Sequence, residues 1–265
     1  MTSAPLTIGQ VILAGMLMFI NIGLSMGLKL GLERSLLVAA VRMTAQLLLV
    51  GLVLNWLFSL ASPGPILLVS LVMATLASYD AVQRTSYRFA GIFLSSFVSI
   101  LSAAFLVTGL AVAGILRVQP WYHAQYMIPV LGMVLGNMMS GISLAADRFM
   151  GDVANGRDRL ETLLALGASR WEAAHPEVRT AMRTGMIPTI NSMMVMGLVS
   201  LPGMMTGQIL AGAPPATAVR YQVVIMFVIA SATALGLLGM ILLTFRVLFD
   251  EGDRLRLDRL QATRR

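Results

Sequence analysis

Gly91-Ile92-Phe93-Leu94-Ser95-Ser96-Phe97-Val98-Ser99-Ile100-Leu101-Ser102-Ala103-Ala104-Phe105-Leu106-Val107-Thr108-Gly109-Leu110-Ala111-Val112-Ala113-Gly114-Ile115-Leu116 runs for 26 residues without a charged side chain. As a helix it is about 39 Å long, enough to cross a hydrocarbon core of about 30 Å. The rest of the chain matches this stretch. Of 265 residues, 57% are hydrophobic and 12% charged, with a mean hydropathy of +0.83. A soluble domain averages about 45–50% apolar and about 25% charged. Too few polar residues remain to cover a water-facing surface, so the apolar excess must face lipid. An ordinary soluble enzyme, a disordered chain and a collagenous one are excluded.

Working outward, the sequence predicts an all-α integral membrane protein with about seven transmembrane helices. They cover residues 8–28, 36–58, 65–78, 91–116, 126–145, 185–205 and 218–245. The third is short unless it runs on toward Arg84. The first seven residues carry no Lys or Arg, so no basic region precedes the first span and that span is expected to be retained. The location is the cell membrane, multi-pass, which in a bacterium is the inner membrane.

Charge placement sets the direction. The chain carries 19 Lys and Arg against 12 Asp and Glu. Sixteen of the basic residues fall in loops that would share one side: around Lys29 and Arg34, around Arg84 and Arg88, between Arg148 and Arg183, and in the tail from Arg246. Two, Arg117 and Arg220, fall on the other side. Cytoplasmic loops are the basic ones, so the N-terminus is expected outside and the C-terminus in the cytoplasm. The basic excess is topological, and nucleic-acid binding loses its support. The chain then reads as one polytopic membrane domain, residues 1–265, with a cytoplasmic loop at about 146–184 and a basic tail at about 246–265. The outside loops, 59–64, 117–125 and 206–217, are too short for a receptor domain.

Missing residue types exclude further chemistry. There is no Cys, hence no disulfide, thiolate metal site or Cys nucleophile. The one lysine, Lys29, lies in Gly27-Leu28-Lys29-Leu30-Gly31, which is no phosphate-binding loop, so no Walker-type ATP site fits here. No Ser/His pair, carboxylate pair or His cluster sits at membrane depth, which leaves an intramembrane enzyme with least support.

The loop at 146–184 carries most of the information. Asp158-Arg159-Leu160-Glu161 has capping-box spacing, and Leu160, Leu163 and Leu164 form one apolar face after it. Gly167 is placed to end that helix. Ser169-Arg170-Trp171-Glu172 repeats the capping-box spacing and starts a second helix, which Pro176 is expected to interrupt. Gly185 and Pro188 mark the entry to the sixth span. A short amphipathic helix of this kind lies on a membrane or fits a groove on a partner.

Within the spans, Arg42 and Gln46 share one face of the second helix. A membrane Arg faces an interior or snorkels to the near interface. Gly132, Gly136 and Ser140 form a small-residue stripe suited to close helix packing, compatible with a dimer seam. Asn137 and Asn191 are expected to hydrogen-bond across helices, with Met138 and Met194 beside them on a candidate path. Leu201-Pro202-Gly203 is expected to break the sixth helix near its outer end, a natural place for a gate. Twelve of the 20 Met lie between Met127 and Met205. They read as gap-filling thioethers or as a soft-metal path. The spans hold no internal Asp or Glu, so no preformed iron cage is expected in the membrane.

Glu161-Thr162-Leu163-Leu164-Ala165-Leu166-Gly167-Ala168-Ser169 resembles the cytoplasmic coupling loop of ABC-transporter permeases. In importers an Ile-x-Leu-Pro follows the Gly closely; here Ile187-Pro188 stands twenty residues on, which departs from that pattern. Gly132-Met133-Val134-Leu135-Gly136-Asn137-Met138-Met139-Ser140-Gly141 resembles the FetB family of membrane subunits. So do the stretch from Ile187-Pro188-Thr189-Ile190-Asn191 through Leu201-Pro202-Gly203 to Gly212, and Arg117-Val118-Gln119-Pro120-Trp121-Tyr122. The resemblance covers nearly the whole chain.

It implies a permease subunit working with a separate, FetA-like ABC ATPase subunit, as a homodimer in the bilayer. No cofactor would be bound by this chain, and ATP and Mg would sit on the partner. Leu160, Glu161, Leu163, Leu164, Gly167, Ser169 and Trp171 would couple to the ATPase. Arg42, Gln46, Asn137, Met138, Asn191, Met194, Pro202 and Gly203 are candidates for a path or gate. Bacterial members are linked to iron export and resistance to oxidative stress, and plant relatives to aluminium tolerance. Two other readings stay open: an ATP-independent transporter or channel, and a membrane scaffold that transports nothing.

Overall fold

A computed structural model describes residues 7–59 and 62–263. The residues ahead of Thr7, part of the 59–64 loop and the final arginines of the tail lie outside the described residues. Two compact units are formed. The first holds α1 (Ile8–Gly27) and α2 (Glu33–Ser59), together with residues 207–214. Thr7 and Gln10 close a capping box at the start of α1, with Gln10 Oε1 accepting from the Thr7 N–H at 2.8 Å. The turn into α2 is pinned by Ser25. Its hydroxyl donates to Glu33 Oε2 at 2.7 Å and accepts from the Leu32 N–H at 2.9 Å. Leu13, Leu17, Phe19, Leu48 and Leu52 are exposed along these helices, as lipid-facing side chains would be.

The second unit holds α3 (Pro63–Gln83), β1 (Tyr87–Arg88), α4 (Ile92–Gly109), α5 (Ala124–Asn155), α6 (Arg157–Ala165), α7 (Arg170–Val195), the start of α8 (Gly203–Leu210), α9 (Pro215–Leu248) and β2 (Gln261–Ala262). A π-helical turn, Leu110–Ile115, continues α4. The core of this unit is built around α5. Leu131, Val134, Met138, Ile142 and Phe149 are fully or almost fully buried there, against Ile225, Leu237 and Ile241 of α9 and Ile100 of α4.

The helices cross where side chains vanish. A Cβ added to Gly185 would lie 2.1 Å from Leu237 Cδ2 and 2.8 Å from the Gly141 carbonyl oxygen. Gly236 gives the same close room to the Met138 methyl. The stripe expected to pack, Gly132, Gly136 and Ser140, behaves otherwise. Gly132 faces Met73, but Gly136 is exposed, a Cβ added there would meet nothing within 4 Å, and Ser140 bonds back to the Gly136 carbonyl. The tight seam lies one residue round the helix, at Gly141.

Among the described residues, six helices are long and apolar enough to cross a membrane: α1, α2, α3, α4 with its π turn, α5 and α9. The third runs to Gln83, past the predicted end at 78, and the fifth runs ten residues past its predicted end at 145. The sixth predicted span, 185–205, is not one helix. Its first half is the end of α7, which then breaks at Met196–Ser200, where Gly197 takes φ +84°. The break therefore precedes Leu201-Pro202-Gly203, and Pro202 instead opens α8, its carbonyl accepting from the Thr206 N–H at 2.9 Å. Pro176 does not interrupt α7, and Pro188 lies inside the same helix rather than at the entry to a separate one. Both rings lie on its exposed face, where a bend is tolerated. α7 thus runs the length of the unit antiparallel to α5. It begins beside the end of α9, through Arg170 and Asp253, crosses Gly141 in mid-course, and ends near Gln222.

Candidate functional site

One end of the second unit gathers the end of α3, the start of α4, the end of α5, α6, the start of α7 and the end of α9. The Ser86 N–H donates to Asp147 Oδ1 at 2.5 Å, holding the α3–α4 turn to α5. The chain after α9 folds back on the same end. Asp253 Oδ1 accepts from the Arg170 N–H at 2.9 Å, at the start of α7 where backbone donors have no helical partner. The Arg170 guanidinium donates to the Asp250 carbonyl at 2.8 Å. β2 then pairs with β1, Tyr87 opposite Ala262.

Between these anchors sits the predicted coupling segment. α6 starts two residues earlier than its spacing suggested. Gly156 is the N-cap, its carbonyl accepting from the Leu160 N–H at 3.0 Å, so Asp158 lies inside the first turn and the Asp158–Glu161 capping box does not form. Glu161 pairs instead with Arg157 at 2.8 Å. Gly167 does end the helix, at φ +93°. Its N–H donates to the Leu164 carbonyl, and the Ala168 N–H donates to that of Leu163. This is the reciprocal C-terminal cap that requires a left-handed residue. The Ser169–Glu172 capping box forms in full, with Glu172 Oε2 accepting from the Ser169 N–H at 2.9 Å.

The three leucines of α6 part company. Leu160 is fully buried, and Leu163 and Leu164 are half-buried against the same core. The face read as free for a partner is therefore largely the root of α6. What projects is the turn beyond it, Leu166, 79% exposed, and Gly167, together with Glu161 on the exposed side of α6 itself. Trp171 is 42% exposed, with its ring edge-on to Phe245 at 5.6 Å and to His175 at 5.7 Å. Arg159 pairs with the buried Glu177, tying α6 to α7. The result is a helix–turn–helix whose tip is apolar and exposed and whose base is fixed at several points.

Hydrogen bonds from the Ser169 hydroxyl and backbone N–H hold the Glu172 carboxyl below its ordinary pKa. A lowered folded-state pKa contributes stability that is fully present above the ordinary Glu value of 4.5 and is lost as the pH falls through the depressed one. Ser169→Ala should open the first turn of α7 by about 1 kcal/mol, roughly fivefold in local exchange. Hydrogen exchange of the 170–174 amides checks this. In the wild type, protection there should fall on acidification below about 4.5, and Glu172→Gln should remove that dependence. An unchanged exchange profile in both variants would contradict the cap.

The predicted path residues are not brought to one place. Arg42 and Gln46 line a shallow groove on one face of α2 with Arg34, Val38 and Met43. Met138 is fully buried in the core, against Gly236. The Asn137 side chain donates to the Met133 carbonyl of its own helix at 2.9 Å rather than across helices. Asn191 and Met194 are exposed near the end of α7, and Gly203 is exposed at the start of α8. Pro202 alone of the set lines a cavity, of about 380 Å³, with Met193, Met196, Met205, Gln222 and Met226. Sequence reading did not single out Gln222. Its signal was an uncharged polar residue inside an otherwise apolar span.

The matched family model spans residues 8–249, which include all six candidate membrane helices, and is described as the uncharacterised protein family UPF0014. The chain belongs to the UPF0014 family of membrane proteins. A UPF0014 membrane protein of Synechocystis sp. is 38% identical over 85% of this chain and 87% of its own length. The Escherichia coli (strain K12) protein named "Probable iron export permease protein FetB" is 33% identical over 96% of this chain and 97% of its own. The Arabidopsis thaliana protein named "Protein ALUMINUM SENSITIVE 3" is 34% identical over 79% and 75%. No solved structure matches the chain. Membership makes this UPF0014 chain a multi-pass membrane protein, in agreement with its apolar helices. The family match spans residues of both units.

Proposed function

We propose that the chain is the membrane-spanning permease subunit of an ATP-driven ABC exporter. It would work as a homodimer with a separate ATPase subunit that carries the ATP and Mg. Metal, and iron in particular, is the cargo suggested by the name of the E. coli relative that aligns with 96% of the chain. One observation carries the reading: the firmly based helix–turn–helix of α6 and α7, with Leu166 and Trp171 exposed at its tip. A tip so mounted suits transmission of force, because it cannot yield without moving α5, α7 and α9. ATP binding would close the ATPase pair and push this tip. The helices packed at Gly141, Gly185 and Gly236 would then re-orient as bodies, exposing the path alternately to each side. Among the described residues no three of His, Cys, Asp and Glu come together. In this reading iron is therefore carried weakly held or chelated.

The test is co-purification. The tagged chain is extracted gently from its own cells, and its companions are identified by mass spectrometry, beside a Glu161→Arg sample. Glu161 is exposed and paired only at the surface, so the change should leave stability nearly untouched. A stoichiometric Walker-type ATPase is expected with the wild type and absent from the variant. If several mild detergents yield no ATPase, the ATP-independent transporter takes the reading's place.

A further inference from the structure

We propose that the cavity at the break after α7 is a binding site for a soft monovalent metal cation of the Cu(I) or Ag(I) class. Four methionines converge on it, Met193, Met196, Met205 and Met226, from the end of α7, the break itself, the start of α8 and the first half of α9. Thioethers are soft, neutral donors that select Cu(I) over the harder divalent ions. Among the described residues, no carboxylate, imidazole, lysine or arginine lines the cavity. A divalent ion would bring twice the charge into an apolar wall with nothing to balance it, whereas a monovalent one is far cheaper to desolvate.

Gln222 is the second, independent observation. It is 6% exposed and lines the same cavity, and its Oε1 has no hydrogen-bond partner among the described residues. Its Nε2 donates to Met196 Sδ at 3.8 Å, which ties the amide to the thioether group. A buried amide oxygen left unmatched is costly and calls for a partner. A cation held by sulfur supplies one. Packing alone accounts for methionines in a core, since they fill irregular gaps. It does not account for a buried amide oxygen left without a partner beside that gap. Gly197, at φ +84°, sets Met196 on the turn rather than on the helix, so its thioether can adjust to a guest.

The site requires neither an ATPase nor transport, so it stands or falls apart from the permease reading. The probe is Ag(I), which has Cu(I)-like chemistry without its oxidation. The purified full chain in detergent is loaded with Ag(I), desalted and measured for silver per chain. Wild type should retain one Ag(I), not displaced by excess Fe(II). Met196→Leu with Met226→Leu, a volume-conserving pair, should weaken binding at least tenfold, and Gln222→Leu severalfold. Methyl-labelled methionine NMR on the wild type makes the result independent of how the variants fold. Ag(I) should shift the signals of the four cavity methionines ahead of the other sixteen. Absence of retained silver, equal binding by the leucine pair, displacement by Fe(II), or shifts spread evenly over all methionines would each overturn the site.

Discussion

Replacing Gly185 by alanine is expected to cost about 3 kcal/mol or more, the upper end for overpacking a core. Replacing it by leucine is expected to leave no folded protein. A Cβ there meets Leu237 Cδ2 at 2.1 Å, Ala145 Cβ at 2.8 Å and the Gly141 carbonyl oxygen at 2.8 Å. The leucine methyl could swing away, but the carbonyl belongs to the backbone of α5 and cannot. α5 and α7 would have to separate along the seam on which the second unit is built. Gly136→Ala, one turn away on α5, is the matched control. It meets nothing within 4 Å, and alanine is the better helix former by about 1 kcal/mol. Thermal unfolding of both variants in detergent, followed by size exclusion, should show opposite signs. Equal midpoints would mean that the seam is not tightly packed.

The second large effect separates anchoring from coupling. Leu160→Ala removes a fully buried side chain and should cost about 2–5 kcal/mol, with a marked drop in the unfolding midpoint. Leu166→Ser acts on a side chain 79% exposed and should change stability by less than about 0.5 kcal/mol. Under the proposed function it should nonetheless abolish association with the ATPase and ATP-dependent transport in reconstituted vesicles. Should Leu166→Ser transport at the wild-type rate, the tip is not where the force enters.

The two leucines also show how far the sequence could be read. Period and capping found α6, its glycine stop and the start of α7, because those signals are local. They could not say which face of α6 is occupied. That depends on where α5 delivers the chain, and Gly156 delivers it two residues early, taking the cap from Asp158. The spans up to α5 were legible because lipid demands unbroken apolar runs. α7 was not, since its first half is charged, Pro176 reads as a break and Pro188 as the entry to a new span. Only the packed seam at Gly185 shows one continuous helix. The tail's grip on Arg170 through Asp253 was invisible, being a contact between residues far apart in sequence. The methionine excess was plain in the composition, but its focus on Gln222 needed the fold.

The short pair β1–β2 imposes a parity rule. Tyr87–Arg88 precedes α4, and Gln261–Ala262 follows α9. Hydrogen-bonded strands cannot face each other through a bilayer, so an even number of crossings must separate them. α4, α5 and α9 are long and apolar enough to supply three, so the pairing requires one more pass, and α7, antiparallel to α5, is the helix placed to make it. With α4, α5 and α9 alone the two strands would end on opposite sides. The pairing of 261–262 with 87–88 would therefore act as a clasp on the threading of the chain. It closes only when every crossing back to α4 has been made in the right sense, and a molecule threaded wrongly is left with its tail loose.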